Sequence, residues 1–165
     1  MKTKIEKTIE GYENKEVWYH GTDKKFNEFN LSNFGKTDDG WWGVGTYFHS
    51  DMETAKVYGN NIIRVLFNTN KILNLPVDYP GRFLFDKLNE IGFELPLECK
   101  NYSAMKIINN IGNQDFTNVM KKNYDVMVIN YVEGTKEAIV FNLNVINLRA
   151  ANLSKYTNLQ AGGNA

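Results

Sequence analysis

Residues 43–59 have the sequence GVGTYFHSDMETAKVYG, which predicts a short strand followed directly by a helix. Two glycines precede the apolar β-formers around Tyr47 and allow close backbone approach. Ser50 stands three residues before Glu53, the spacing of a capping box, so Ser50 is the predicted N-cap. Gly59 is placed to end the helix. The segment therefore predicts a strand that turns straight into a helix.

Strands are predicted on both sides of this segment. Upstream, residues 16–20 (EVWYH) are rich in β-formers and stop at Gly21, and a long loop then runs to residue 42. The predicted strands downstream are 62–67, 72–75, 124–129, 137–141 and 144–148. Helices are predicted at 83–91, 104–111 and 115–122. Strands first, helices in the middle and strands last favour an α+β fold over a regular βαβ repeat.

Composition limits the classes of protein that the chain can belong to. Its 165 residues are 42% hydrophobic and carry a formal net charge of +0. This balance excludes an overall electrostatic attraction of the protein to nucleic acid or to an anionic membrane. The lone Cys99 excludes a disulfide framework and a multi-cysteine zinc site, and it suits a reducing compartment. No apolar run approaches a membrane span, so we expect a soluble, cytoplasmic protein. We expect one domain at 16–150, an N-terminal extension at 1–15 and a tail at 151–165.

Three features differ from ordinary core patterning. His20 ends a strand and is followed by glycine, Tyr47 is flanked by glycines and enters a helix, and Glu137 opens an apolar strand. Each residue has a simpler explanation when taken alone: a surface histidine, a core aromatic and a charge at a strand edge. The order of the surrounding motifs decides between these interpretations.

The ordered motifs are YHGT (19–22), GVGTYF (43–48), AKVY (55–58) and EAIVF (137–141). In this order they resemble the motifs of ADP-ribosyltransferases of the His-Tyr-Glu branch, which includes diphtheria toxin and the poly(ADP-ribose) polymerases. The resemblance is strongest to small domains of phage and mobile-element polyvalent proteins. It implies an ADP-ribosyltransferase-like split β-sandwich with short peripheral helices over residues 16–150.

The first motif implies contacts with NAD. By resemblance, the His20 ring hydrogen-bonds the adenine-side ribose, and the Gly21 backbone holds the nicotinamide carboxamide. Thr22 either contacts the ribose or secures the turn.

The remaining motifs imply the stacking and catalytic groups. Tyr47 and Tyr58 correspond to the two aromatic faces that sandwich nicotinamide. Glu137 corresponds to the catalytic glutamate, whose carboxylate stabilises the oxocarbenium-like transition state when the nicotinamide–ribose bond breaks. The catalytic set is therefore Glu137, His20 and Tyr47, and no metal is expected.

The resemblance implies an NAD-dependent mono-ADP-ribosyltransferase with a macromolecular acceptor, protein or nucleic acid. Arginine-modifying relatives of the Arg-Ser-Glu branch carry Glu or Gln two residues before the catalytic glutamate, and this chain has Thr135 there, so the resemblance disfavours arginine as the acceptor. The alternatives are an NAD glycohydrolase and a catalytically inactive binding module of the same fold. Because such activity can be toxic, the resemblance is consistent with a neutralising antitoxin, with residence in a phage particle or with delivery into a host cytoplasm. No membrane partner is expected.

Four residues near these motifs have open interpretations. For Trp41 and Trp42, two interpretations are equally favoured: a position in the hydrophobic core, or a role as a lid or acceptor platform. His49 belongs to no motif position and is expected to be partly exposed. Glu133 is the alternative to Glu137 as the catalytic carboxylate, although its position in a loop suits acceptor recognition better.

Overall fold

The structure is a computed structural model that describes residues 16–23 and 39–147. The described strands are β1 (Trp18–Thr22), β2 (Asp39–Gly40), β3 (Gly43–Val44), β4 (Thr46–His49), β5 (Asn61–Phe67), β6 (Ile72–Leu75), β7 (Val126–Asn130), β8 (Lys136–Val140) and β9 (Ile146–Asn147). The helices are α1 (Met52–Lys56), α2 (Pro80–Glu90), α3 (Ala104–Ile111) and α4 (Asn113–Met120), with 3-10 helices at Leu97–Asn101 and Leu143–Val145. This mixture of strands and helices confirms the predicted α+β class.

The described residues divide into two compact units. The first unit contains residues 16–23, 49–68 and 144–147, and the second contains 39–48 and 69–143. The predicted extension, the tail and most of the predicted loop at 22–42 lie outside the described residues.

The first unit is built on antiparallel strands. β1 pairs with β5 along its whole length, from Trp18 opposite Val65 to Thr22 opposite Asn61, and β9 pairs with the end of β5. His49, the last residue of β4, pairs with Tyr19 on the other side of β1. Trp18 stacks on Phe67 with ring centroids 5.4 Å apart, so an aromatic pair anchors the start of β1 in a buried position.

The second unit contains a mixed sheet. β7 lies between β6, with which it runs parallel, and β8, with which it runs antiparallel, and β4 is next to β8. Residues Val126 to Ile129 are all buried, which confirms the prediction that this apolar strand is central.

Three helices cover one core of the second unit. α2 packs on α3, α3 on α4, and α4 on β3. Their buried faces contribute Leu84, Leu88, Ile107, Ile108 and Phe116, each 0% exposed, and together with sheet residues they form one hydrophobic cluster. Burying one such side chain stabilises a fold by about 1.5–3 kcal/mol. The predictions of helices at 83–91, 104–111 and 115–122 are confirmed, with boundary shifts of a few residues.

The start and end of α1 differ from the prediction. The N-cap is Asp51 rather than Ser50, because an Asp51 carboxylate oxygen accepts hydrogen bonds from the Thr54 amide at 2.8 Å and the Thr54 hydroxyl at 2.7 Å. These bonds hold the pKa of Asp51 below its usual value. The helix ends at Lys56, two residues before the predicted end.

None of the helices in residues 16–23 and 39–147 combines the length and the hydropathy needed to span a bilayer.

Candidate active site

The predicted site residues are divided between the two units. His20, Gly21, Thr22 and Tyr58 belong to the first unit. Tyr47 belongs to the second unit. Glu137 also belongs to the second unit.

Gly21 lies under the C-terminal end of α1. A Cβ added at Gly21 would overlap the carbonyl oxygen of Ala55, and one added at Gly59 would overlap the backbone of Thr22. Two glycines therefore allow α1 and the turn after it to lie directly on the end of β1. This contact brings the turn that carries Tyr58 next to the Gly21–Thr22 segment, so these predicted residues are neighbours.

Tyr58 forms a ring stack that the sequence did not predict. Its ring lies parallel to the imidazole of His49, with centroids 4.9 Å apart and an interplanar angle of 10°. Tyr58 is 60% exposed, whereas His49 is only 5% exposed, so the expectation of a partly exposed His49 is wrong.

The surroundings of His49 favour its neutral form. Burial lowers the pKa of His49, the nearby Asp51 carboxylate partly opposes this, and His20 adds to the lowering. A histidine pKa lowered from 6.5 leaves the imidazole uncharged at neutral pH. The buried member of the stack is therefore a flat, neutral ring.

In the second unit, the hydroxyl of Tyr47 is bound to the β2–β3 hairpin. It donates a hydrogen bond to the carbonyl oxygen of Gly43 at 2.6 Å and accepts one from the amide of Trp42 at 3.3 Å. Gly43 has a φ of +105°, a conformation that side chains disfavour. Since the hydroxyl is engaged by backbone, the ring is the part of Tyr47 that suits contact with a ligand.

The hairpin is fixed in turn by a buried side chain of α4. The Thr117 hydroxyl accepts a hydrogen bond from the Val44 amide at 2.8 Å and donates one to the Val44 carbonyl oxygen at 2.9 Å. Thr117 is 2% exposed. One threonine thus satisfies both backbone groups of a residue far away in sequence, and it supports the segment that holds Tyr47.

Glu137 is half-buried at the start of β8, opposite Ile129. Because side chains alternate along a strand, Glu137 shares a face with Ile139. Both isoleucines belong to the hydrophobic cluster against which Tyr47 packs. Tyr47 and Glu137 therefore border the same cluster, from strands β4 and β8 that are neighbours in the sheet.

The rival carboxylate has a different setting. Glu133 is exposed in the turn between β7 and β8. One of its carboxylate oxygens accepts a hydrogen bond from the Thr135 hydroxyl at 3.1 Å. Glu137, at the edge of an apolar cluster, has the less solvated surroundings of the two.

The two adjacent tryptophans have opposite environments. Trp42 is 7% exposed and belongs to the hydrophobic cluster, whereas Trp41 is 74% exposed. The core interpretation therefore holds for Trp42 alone, and Trp41 presents its indole to solvent.

Among the side chains of residues 16–23 and 39–147, no group of three His, Cys, Asp or Glu could hold a metal ion. Cys99 is a free, buried thiol.

Comparison with known proteins identifies the family. A solved structure described as a crystal structure of an anti-CRISPR protein is similar over 77% of this chain and 90% of that one, with 14% identity and a TM-score of 0.40. That likeness is too low to bear on fold or function. No curated protein matches the chain. The family model described as ADP-ribosyltransferase in polyvalent proteins matches residues 14–153, which confirms the resemblance seen in the motifs and the ADP-ribosyltransferase-like fold. The chain belongs to the ADP-ribosyltransferases of polyvalent proteins.

Proposed function

We propose that the protein cleaves the nicotinamide–ribose bond of NAD and transfers a single ADP-ribose unit to a macromolecular acceptor, either a protein or a nucleic acid. The observation that carries the proposal is the family match over residues 14–153, because ADP-ribosyltransferase domains use NAD as their substrate. The match includes all four motifs that contain the proposed site residues.

Glu137 is the proposed catalytic carboxylate. Bond cleavage leaves an oxocarbenium-like ribose, and a carboxylate beside it stabilises positive charge that exists only in the transition state. The half-buried position of Glu137 at the edge of an apolar cluster supports this role, since a charge acts more strongly where water is partly excluded. The same carboxylate would accept a hydrogen bond from the ribose 2′-hydroxyl.

The first motif is proposed to bind the rest of the donor. His20 would hydrogen-bond the adenine-side ribose, while the Gly21 backbone would hold the carboxamide and Thr22 would contact the ribose or secure the turn. The packing of Gly21 against α1 supports this segment as a rigid platform.

Stacking of nicotinamide is the proposed role of the two tyrosines. Tyr47 has its hydroxyl bound to backbone and Tyr58 is 60% exposed, so each is suited to offer a ring face. Offset stacking adds about 0.5–1.5 kcal/mol per pair beyond burial.

The decisive experiment measures release of nicotinamide from NAD by the wild type and by Glu137→Gln. We expect the substitution to lower kcat by about 10²–10³-fold with a smaller effect on the KM for NAD. Glu133→Gln is the matched control, since it neutralises a carboxylate on the preceding turn and should leave kcat nearly unchanged. Equal rates for wild type and Glu137→Gln would refute the assignment.

The acceptor class is tested with labelled NAD and a cell lysate. Label that is lost on protease digestion indicates a protein acceptor, and label lost on nuclease digestion indicates a nucleic acid. Release of nicotinamide without any labelled macromolecule would indicate that the protein hydrolyses NAD and does not transfer ADP-ribose. A folded wild type that neither binds nor cleaves NAD would refute the enzymatic proposal.

A further inference from the structure

We infer that His49 is a positioning residue of the donor site, whose imidazole supports one face of the Tyr58 ring so that the opposite face is held ready for nicotinamide. The inference rests on the proposed function. No motif includes His49, and its role is argued only from its contacts.

The stack places the His49 imidazole against one face of the Tyr58 ring, while the Tyr58 residue stays largely exposed. The two rings are nearly parallel, at 10°, and their centroids are 4.9 Å apart, so the imidazole lies in an offset stack over part of one side of the phenol ring. Tyr58 nevertheless keeps 60% of its surface exposed. An aromatic side chain with that exposure beside a parallel ring retains a face on which a second planar group can stack.

The two partners differ in how firmly the fold holds them. His49 ends β4, is paired with Tyr19 across the strands, and is 5% exposed, so its ring is fixed by packing. Tyr58 follows the end of α1 on a turn, in which its amide donates a hydrogen bond to the Ala55 carbonyl oxygen and the Gly59 amide donates one to the Lys56 carbonyl oxygen, and its side chain is largely exposed. An exposed ring on such a turn would otherwise lose rotamer freedom when a ligand binds. The stack on His49 reduces that cost before binding.

Charge is consistent with this role. Burial keeps the imidazole neutral at neutral pH, so the face-to-face contact with the phenol ring does not bury a charge. A neutral planar ring is the part of histidine that a phenylalanine can replace. A role that depends on a proton or a hydrogen bond of the imidazole would not survive that replacement.

The test compares KM and kcat for nicotinamide release in the full chain. For His49→Ala we expect the KM for NAD to rise about 2- to 10-fold, the loss expected of one aromatic stack, with kcat nearly unchanged. His49→Phe, which restores a flat ring, should return the KM to near the wild-type value. In a Tyr58→Ala background, His49→Ala should add little, because the ring it supports is absent.

Two further variants separate positioning from general instability. Val65→Ala removes a fully buried side chain of the same unit that makes no ring contact with Tyr58, and it should lower stability without raising the KM. His49→Leu fills the buried site without an aromatic ring, and it replaces His49→Ala if that variant does not fold.

The outcomes distinguish this inference from the proposed function. A wild type that cleaves NAD, together with an unchanged KM in His49→Ala, would overturn the inference alone. A lower KM in His49→Ala would also overturn it, because the imidazole would then occupy the place of the ligand. A wild type that neither binds nor cleaves NAD would refute the proposed function, and the inference with it.

Discussion

Replacing Thr117 by valine should destabilise the protein far more than the loss of one surface hydroxyl. Valine has nearly the shape of threonine, so the packing around α4 is kept while the hydroxyl is removed. Its partners, the Val44 amide at 2.8 Å and the Val44 carbonyl oxygen at 2.9 Å, then lose their hydrogen bonds in a buried position. The effect is therefore that of two unsatisfied backbone groups.

The magnitude follows from the cost of those groups. An unsatisfied buried donor or acceptor costs about 1–3 kcal/mol, and a short hairpin can shift partly toward water, so we expect about 2–4 kcal/mol in total. That is a large fraction of the roughly 5–15 kcal/mol by which a domain is stable. At a urea m-value of about 2 kcal/mol/M, the middle of the usual range, the unfolding midpoint should fall by about 1–2 M.

Urea unfolding followed by circular dichroism measures this difference. Thr117→Ser is the matched control, because it keeps the hydroxyl and removes only one methyl group, worth about 1 kcal/mol. The KM for NAD should rise in the valine variant and not in the serine variant, since the hairpin also holds Tyr47. A valine variant within about 0.5 kcal/mol of wild type, or a serine variant equally destabilised, would refute the reasoning.

Three further predictions concern single groups. Gly21→Ala should lower the unfolding free energy by at least about 2 kcal/mol, because its Cβ overlaps a carbonyl of α1, and a wild-type melting temperature would contradict this packing. Tyr47→Phe should lower the free energy of unfolding by about 0.5–1.5 kcal/mol, because the hydrogen bonds of the hydroxyl to the Gly43 carbonyl oxygen and the Trp42 amide are lost, and an unchanged urea midpoint would argue against those bonds. Burial lowers the pKa of His49, with Asp51 opposing and His20 adding, so the unfolded chain binds the proton more readily. The contribution of the neutral His49 imidazole to the free energy of unfolding should be complete above the ordinary histidine pKa of 6.5. It should decline as the pH falls toward the pKa of His49 in the folded state. Urea midpoints of wild type and His49→Phe across this range test it, and equal losses on acidification would contradict it.

Much of the fold could be predicted because its elements carry local signals. The central strand β7 is a continuous apolar run, and the helices α2 and α3 show apolar residues at helical spacing. The predicted N-cap of α1 was wrong by one residue, because two successive residues of the sequence can each cap a helix. Ser50 is followed three residues later by Glu53, and Asp51 by Thr54. The observed Asp51 cap accepts two hydrogen bonds from Thr54, a geometry that spacing alone does not reveal.

The parts of the candidate site that the sequence missed depend on long-range packing. His49 follows an apolar strand and lies beside Ser50, which suggests an exposed position, and its burial is set by pairing with Tyr19 and stacking on Tyr58. Thr117 looks like an ordinary helix residue, and its function is defined by a hairpin far away in sequence. Neither contact leaves a pattern within a short window.

The tryptophan pair shows a limit of another kind. Trp41 and Trp42 form the turn between β2 and β3, where the alternation of side chains along a strand does not apply, so the sequence pattern assigns neither indole to the core. Which of the two faces inward depends on where the hydrophobic cluster lies. The structure settles this by placing Trp42 in that cluster.

Because the indoles are unequally buried, the intrinsic tryptophan fluorescence of the protein can report on one site. Of the three tryptophans, Trp18 and Trp42 are 4% and 7% exposed, whereas Trp41 is 74% exposed. A small aqueous quencher such as iodide therefore reaches one emitter and leaves the two buried ones bright. The quenched, red-shifted part of the native emission describes the surroundings of the tip of a single hairpin, without any attached dye.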